Sequence, residues 1–147
     1  MQRSLSWVAL AVLSLVLFGC GEGSSGGDGS QPAVVITGRG GSYVLQATNL
    51  KNVGAMDITI GYNNSTLANP VVTQEGLLSG AIMVTNITVQ GIVRVGIINA
   101  TGISGSGALL SINLDLVGDK PGQLTSLSVA AYDINRNTIA LRTAILE

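Results

Sequence analysis

Few side chains in this sequence can do chemistry. Of its 147 residues none is His and one, Cys20, carries a thiol. Without imidazole there is no Ser-His-Asp or Cys-His relay, and no His/Cys set for zinc or haem. Seven basic and eight acidic residues leave a net charge of −1, so no polycationic surface exists for nucleic acid. Beyond the N-terminal stretch, five carboxylates precede Glu147: Asp57, Glu75, Asp115, Asp119 and Asp133. A glycosidase needs two of them facing each other across a cleft. Asp115 alternates with apolar residues, which puts it on a solvated strand face, and Asp119 falls in a turn. The sequence favours a non-enzyme with neither cofactor nor metal.

Three further patterns invite chemical readings. Asp133-Ile134-Asn135-Arg136-Asn137 opens like a calcium loop. An EF-hand-type loop then needs Gly, where Thr138 stands, and a carboxylate at its twelfth position, where Ala144 stands. A hairpin turn built on Asp and Asn is the better reading. Gly102-x-x-Gly105-x-Gly107 lacks the Lys-Ser/Thr pair and the following helix of a phosphate loop, so it reads as a turn. Sugar-binding sandwiches rely on an aromatic platform. Aromatics make up 3% of the chain, and past the first twenty residues only Tyr43, Tyr62 and Tyr132 remain. Their clustering on one exposed face would support polysaccharide binding, and their burial would count against it. Asn63, Asn64, Asn86 and Asn99 stand in N-x-S/T sequons, which would matter in a eukaryotic secretory protein.

The thiol gains a meaning from its position. Arg3 and the α-amine begin the chain, and an apolar run follows from Leu5 to Phe18, broken only by Ser6 and Ser14. As a helix it would span roughly 21 Å, short of a ~30 Å hydrocarbon core, so it suits a signal peptide better than a permanent span. Leu17-Phe18-Gly19-Cys20 resembles a bacterial lipobox. Such a motif implies that the Cys20 sulfur forms a thioether to diacylglycerol and that cleavage follows the small Gly19. Phe18 departs from the commoner small residue at its position. An ordinary secretory signal with an incidental Cys20 is the alternative. Residues 1–19 are thus expected to be the lipoprotein signal peptide. Residues 20–30 are expected to be the lipidated Cys and its tether: positions 21–30 hold five Gly, three Ser and two acids, too polar for a core. The expected location is the bacterial cell envelope, anchored in the membrane by lipid. Gly21 after the Cys favours the outer membrane if the host is Gram-negative.

The elements that position everything else lie in residues 31–147. From Ala33 on, Val, Ile and Thr number 12, 13 and 11 of 115 residues, a composition suited to pleated sheet. Leu110-Ser111-Ile112-Asn113-Leu114-Asp115-Leu116 alternates apolar and polar residues, and residues 58–60, 93–97, 127–129 and 139–143 repeat the signal. Turn chemistry punctuates these runs at residues 38–41, 62–65, 90–91, 102–107, 118–122 and 133–137. The pattern predicts an all-β fold, an antiparallel two-sheet sandwich of about nine strands. The strands are expected at 33–37, 42–48, 54–61, 69–73, 81–87, 91–98, 107–117, 123–131 and 138–146. Pro70 must sit on an edge or at a strand end. The expected aliphatic core comprises Val35, Val44, Ile58, Ile60, Val95, Ile97, Leu110, Ile112, Leu114, Leu127, Val129, Leu141 and Ile145.

The order of these elements resembles the cohesin family, nine-stranded jelly-roll modules that hold dockerins. The resemblance covers nearly all of residues 33–147. It is carried by the stretch from Asn49 to Leu67, whose Gly61-Tyr62-Asn63-Asn64-Ser65-Thr66-Leu67 closes a strand. It is carried also by Gly102-Ile103-Ser104-Gly105-Ser106-Gly107 leading into the long alternating strand at 107–117. It implies a protein-binding module with a dockerin-like partner docked on one sheet face. Family contact residues vary between types, so none is transferred here. A carbohydrate- or polysaccharide-binding sandwich and a structural subunit of an envelope complex are the alternatives.

Overall fold

A computed structural model describes residues 30–147; the lipobox residues Leu17, Phe18, Gly19 and Cys20 lie outside the described residues, as do the expected signal peptide and most of the tether. Eight strands follow in order: β1 (Ala33–Arg39), β2 (Ser42–Tyr62), β3 (Leu67–Gln74), β4 (Ile82–Asn86), β5 (Ile92–Leu116), β6 (Leu124–Asp133), β7 (Thr138–Ile139) and β8 (Arg142–Leu146). One 3-10 turn, Gly76–Leu78, joins β3 to β4.

Two of these strands are long because each serves both layers of the sandwich. The first half of β2 pairs with β1 and with the second half of β5, Leu45 opposite Leu110. Its second half pairs with β6 and with the first half of β5, Ile58 lying opposite Val129 on one side and Val95 on the other. One layer is therefore β8–β1–β2–β5–β3, and the other is β7–β6–β2–β5–β4. The expected strands 42–48 and 54–61 are one element, as are 91–98 and 107–117, while 138–146 divides into β7 and β8.

Positive-φ residues explain how the long strands turn from layer to layer without ending. On β2, Asn49 and Asn52 take φ of 54° and 50°; on β5, Gly102 and Gly105 take 82° and 111°. Each shift of register leaves ladder groups unmatched. The Asn49 and Asn52 amides instead donate to the Ser106 and Ser104 hydroxyls, both at 2.9 Å. The Gly-rich segment is thus a bend inside a strand, not a turn between two.

The core lies between the layers. Val34, Ile36, Tyr43, Leu45, Leu110 and Ile112 face it from one side, and Met56, Ile58, Ile60, Val93, Val95 and Ile97 from the other. Among the described residues every member of this buried cluster falls between Val34 and Ala131, a contiguous core of the kind that folds as one unit. Seven of the expected core residues are buried: Ile58, Ile60, Val95, Ile97, Leu110, Ile112 and Leu114. Leu127, Val129, Leu141 and Ile145 are half-buried against it. Val35 and Val44 are corrected: both are half-buried, and their neighbours Val34, Ile36, Tyr43 and Leu45 fill the core. In a strand a one-residue change of phase moves every side chain to the opposite face. Unbroken apolar runs at 33–36 and 43–45 conceal that phase.

One pairing departs from the antiparallel expectation: β8 runs parallel to β1, Val35 opposite Ala144. Pro70 meets its expected constraint, since among the described residues β3 pairs only with β5 and is bulged between Ala68 and Val71.

Candidate docking face

Each strand of the β6–β2–β5–β4 layer turns alternate residues away from the core, and the register assembles them into rows. Ile82, Ile98, Ala55 and Tyr132 are successive partners across β4, β5, β2 and β6. The next row is Val84, Gly96, Asp57 and Ala130, and the third is Asn86, Arg94, Thr59 and Ser128. The first two rows are largely apolar and exposed: Ile82 is 67% accessible, Val84 66% and Ile98 61%. The polar row with Arg94 borders them, and Asp57 is exposed within the second.

Gly96 shapes the surface. A Cβ there would have only the Asp57 carboxylate within 4 Å, at 3.9 Å, so the missing side chain leaves a dip amid taller neighbours. Two adjoining hollows share this dip. One, of about 360 Å³, runs between Ile82, Val84, Ile98 and Tyr132; the other, of about 390 Å³, is walled by Asp57, Asn86 and Arg94. An apolar ridge with a shallow depression and charge at its border can take up a protein surface by burying apolar area, with the polar row setting orientation.

The sequence left the binding residues of the domain unknown, yet a signal exists. Adjacent Ile97 and Ile98 cannot both face inward in a strand, so one of them must be exposed. Ile82-x-Val84 repeats the apolar alternation on a strand whose intervening Met83 packs against the core.

The other singled-out residues lie elsewhere. Tyr43 is 1% exposed and its hydroxyl donates to the Gly122 carbonyl at 3.3 Å. Burial, reinforced by the nearby Glu147 carboxylate, raises its pKa above the usual tyrosine value. Tyr62 is also buried, leaving Tyr132 alone on the outer face. The three tyrosines therefore form no aromatic platform, which counts against the polysaccharide reading.

Asp133 builds the β6–β7 turn. Its Oδ1 accepts from the Asn135 and Asn137 amides, both at 2.8 Å, and its Oδ2 from the Asn137 side chain at 2.9 Å. These bonds, that from the Asn137 side chain foremost, hold its carboxyl below the usual aspartate value. The expected hairpin turn is what the D-x-N-x-N segment forms. Glu75 accepts from the Ser111 hydroxyl at 2.8 Å, and Asp115 from the Asn69 amide at 2.9 Å on the solvated edge. Among the described residues no group of three His, Cys, Asp or Glu gathers to hold a metal ion. Asn63, Asn86 and Asn99 each accept, through Oδ1, the backbone amide and hydroxyl of the Ser or Thr two residues on, a local Asx turn.

This architecture matches that of cohesins. A non-cellulosomal cohesin from the archaeon Archaeoglobus fulgidus superposes with a TM-score of 0.65 at 20% identity, covering 80% of this chain and 93% of that one. The sixth cohesin of scaffoldin B from Acetivibrio cellulolyticus, solved with a dockerin, gives 0.63 at 14% identity over 80% and 100%. A type I cohesin–dockerin complex from Clostridium thermocellum gives 0.62 at 13% over 79% and 98%. At such identities the likeness defines a fold, the cohesin jelly roll. No family model matches the sequence, and no curated protein matches it.

Proposed function

We propose that this chain is a non-enzymatic, envelope-anchored lipoprotein whose cohesin-like domain captures a protein partner on the outer face of the β6–β2–β5–β4 layer. The observation that carries the reading is the exposed row Ile82–Ile98–Ala55–Tyr132, an apolar surface on a layer whose inner face already fills a core. Contiguous apolar area of this kind on a water-facing sheet marks an interaction site. Solved structures of similar fold contain dockerins bound to cohesins, which supports a dockerin-like partner. In the proposal the apolar row supplies affinity, and Asp57 and Arg94 supply register.

Binding of the purified 30–147 domain to secreted and envelope proteins of its host, with calcium and again with EDTA, tests the docking. Calcium-dependent capture of one protein, lost in Ile98→Asp, supports a dockerin-like partner. Capture that Ile98→Asp leaves unchanged, or no capture under either condition, overturns the assignment of this face. The anchor is tested separately in the full chain. A clickable fatty acid is expected to label the protein and Cys20→Ser to lose both label and membrane association. An unlabelled wild-type chain refutes lipidation.

A further inference from the structure

A sheet edge is an open row of backbone donors and acceptors, and folded proteins block it with prolines, bulges, charge, shortness or a covering segment. Most edges here are blocked. β3 carries Pro70 within its bulge, next to Asn69 at a φ of 49°. β8 begins at Arg142 and runs into Glu147. β6 is covered at one end by β7, which is two residues long, and at the other by the Glu147 carboxylate, which accepts from the Leu124 amide at 2.7 Å.

β4 has none of these devices. Its ladder to β5 runs unbroken from Ile82↔Ile98 to Asn86↔Arg94, and among the described residues β5 is its only partner. Its sequence, Ile-Met-Val-Thr-Asn, holds no proline, glycine or charge. The chain carries no charged residue from Gly76 through Val93, between Glu75 and Arg94. Even Thr85, which alternates toward the core side, is exposed.

We infer that β4 is a strand-addition site and that its occupant is β4 of a second copy of this chain, paired antiparallel about a two-fold axis at Val84. The occupant follows from charge and composition. A strand that is uncharged, rich in β-branched residues and itself unpaired on one side complements this edge, and β4 is such a strand, with Ile82, Val84 and Thr85 among its five residues. Pairing it with itself sets Val84 opposite Val84 of the second copy, Met83 opposite Thr85 and Ile82 opposite Asn86. No like charges meet, and the interface is isologous and closed, so it stops at two copies. The Val84–Gly96–Asp57 row then continues across the axis into the same row of the second copy, while the row through Ile98 and Ile82 meets the polar Asn86–Arg94 row of that copy. The inference goes beyond the docking proposal, because it concerns the strand's edge and needs no foreign partner.

Analytical ultracentrifugation of the purified 30–147 domain, over a range reaching ~100 µM, provides the test. The wild-type domain is expected to form a concentration-dependent dimer. Val84→Lys and Val84→Glu, each at a 66% exposed position and checked for unchanged circular dichroism, are each expected to weaken the dimer roughly tenfold or more by setting like charges on the axis. An equimolar mixture of the two variants is expected to restore it as a Lys–Glu heterodimer. A wild-type domain that stays monomeric throughout overturns the inference. So does a dimer that either variant leaves intact, or a mixture that fails to reassociate. These outcomes are read from the pure domain, so they are independent of whether the outer face captures another protein.

Discussion

The phase of β1 gives a sharp test of how the sandwich is packed, because neighbouring residues make opposite claims. Ile36 is fully buried, whereas Val35 is half-buried on the other face of the same strand. Ile36→Ala removes three carbon groups, worth about 2.4 kcal/mol at ~0.8 kcal/mol each. Incomplete collapse of the cavity adds about 1 kcal/mol, giving roughly 3.5 kcal/mol. Val35→Ala removes two groups at a site already half in water, which gives under about 1 kcal/mol. The folded unit has 118 residues (147 less the 29 before Ser30). At ~2.1 cal/mol/K per residue its unfolding entropy is about 0.25 kcal/mol/K. The expected losses in Tm are then about 14 °C for Ile36→Ala and about 4 °C or less for Val35→Ala. Calorimetry of the two variants beside the wild type decides the matter. Equal losses, or a larger one for Val35→Ala, would refute the register and the inward assignment of Val34, Ile36, Tyr43 and Leu45.

Two predictions concern pH. The Tyr43 pKa is raised in the folded state, so its contribution to stability is intact below the ordinary tyrosine value of 10.0 and is lost as pH rises beyond it. Tyr43→Phe should cost about 1 kcal/mol at neutral pH, through the lost bond to Gly122, and should flatten the alkaline decline in urea unfolding. An unchanged alkaline decline would locate its cause elsewhere. Asp133 has a lowered pKa, so the turn it holds should be secure above 3.8 and should loosen as pH falls below that value. Amide exchange at Asn135 and Asn137, compared with the wild type at matched pH, should be accelerated in Asp133→Ala at neutral pH but not in the wild type until acid is added. Equal protection in both would show that the carboxylate does not organise the turn.

Much of this fold is legible in the residues, and the limits have physical causes. Clean alternation, as in residues 110–116, reports both the strand and its inward face, and Leu110, Ile112 and Leu114 are buried as that pattern requires. Continuous apolar stretches report a strand without its phase, which is why Val35 and Val44 pointed to the wrong side. The continuity of β2 and β5 was hidden because Asn and Gly at positive φ favour turns and strand bends alike. Only the ladder Leu50↔Gly105 and Val53↔Ile103 distinguishes the two. The outer face was the least legible element. Its rows draw on four strands spread from Ala55 to Tyr132, and such a surface exists only once their register is set.

The two shared strands also bear on how the chain reaches this state. Their partners are 31 positions apart at Gly61↔Ile92 and 71 apart at Ser42↔Asn113. Closing the shorter span first saves about 0.7 kcal/mol of chain entropy over starting at the longer one. Zippering from the Gly61 end then brings the remaining partners together in sequence, through the serine-bonded bends and into the second layer. A single progressive closure thus links both layers, and neither has a hydrogen-bonded centre without β2 and β5. The domain should gain and lose amide protection in these two strands as one cooperative unit, with no half-sandwich accumulating on the way.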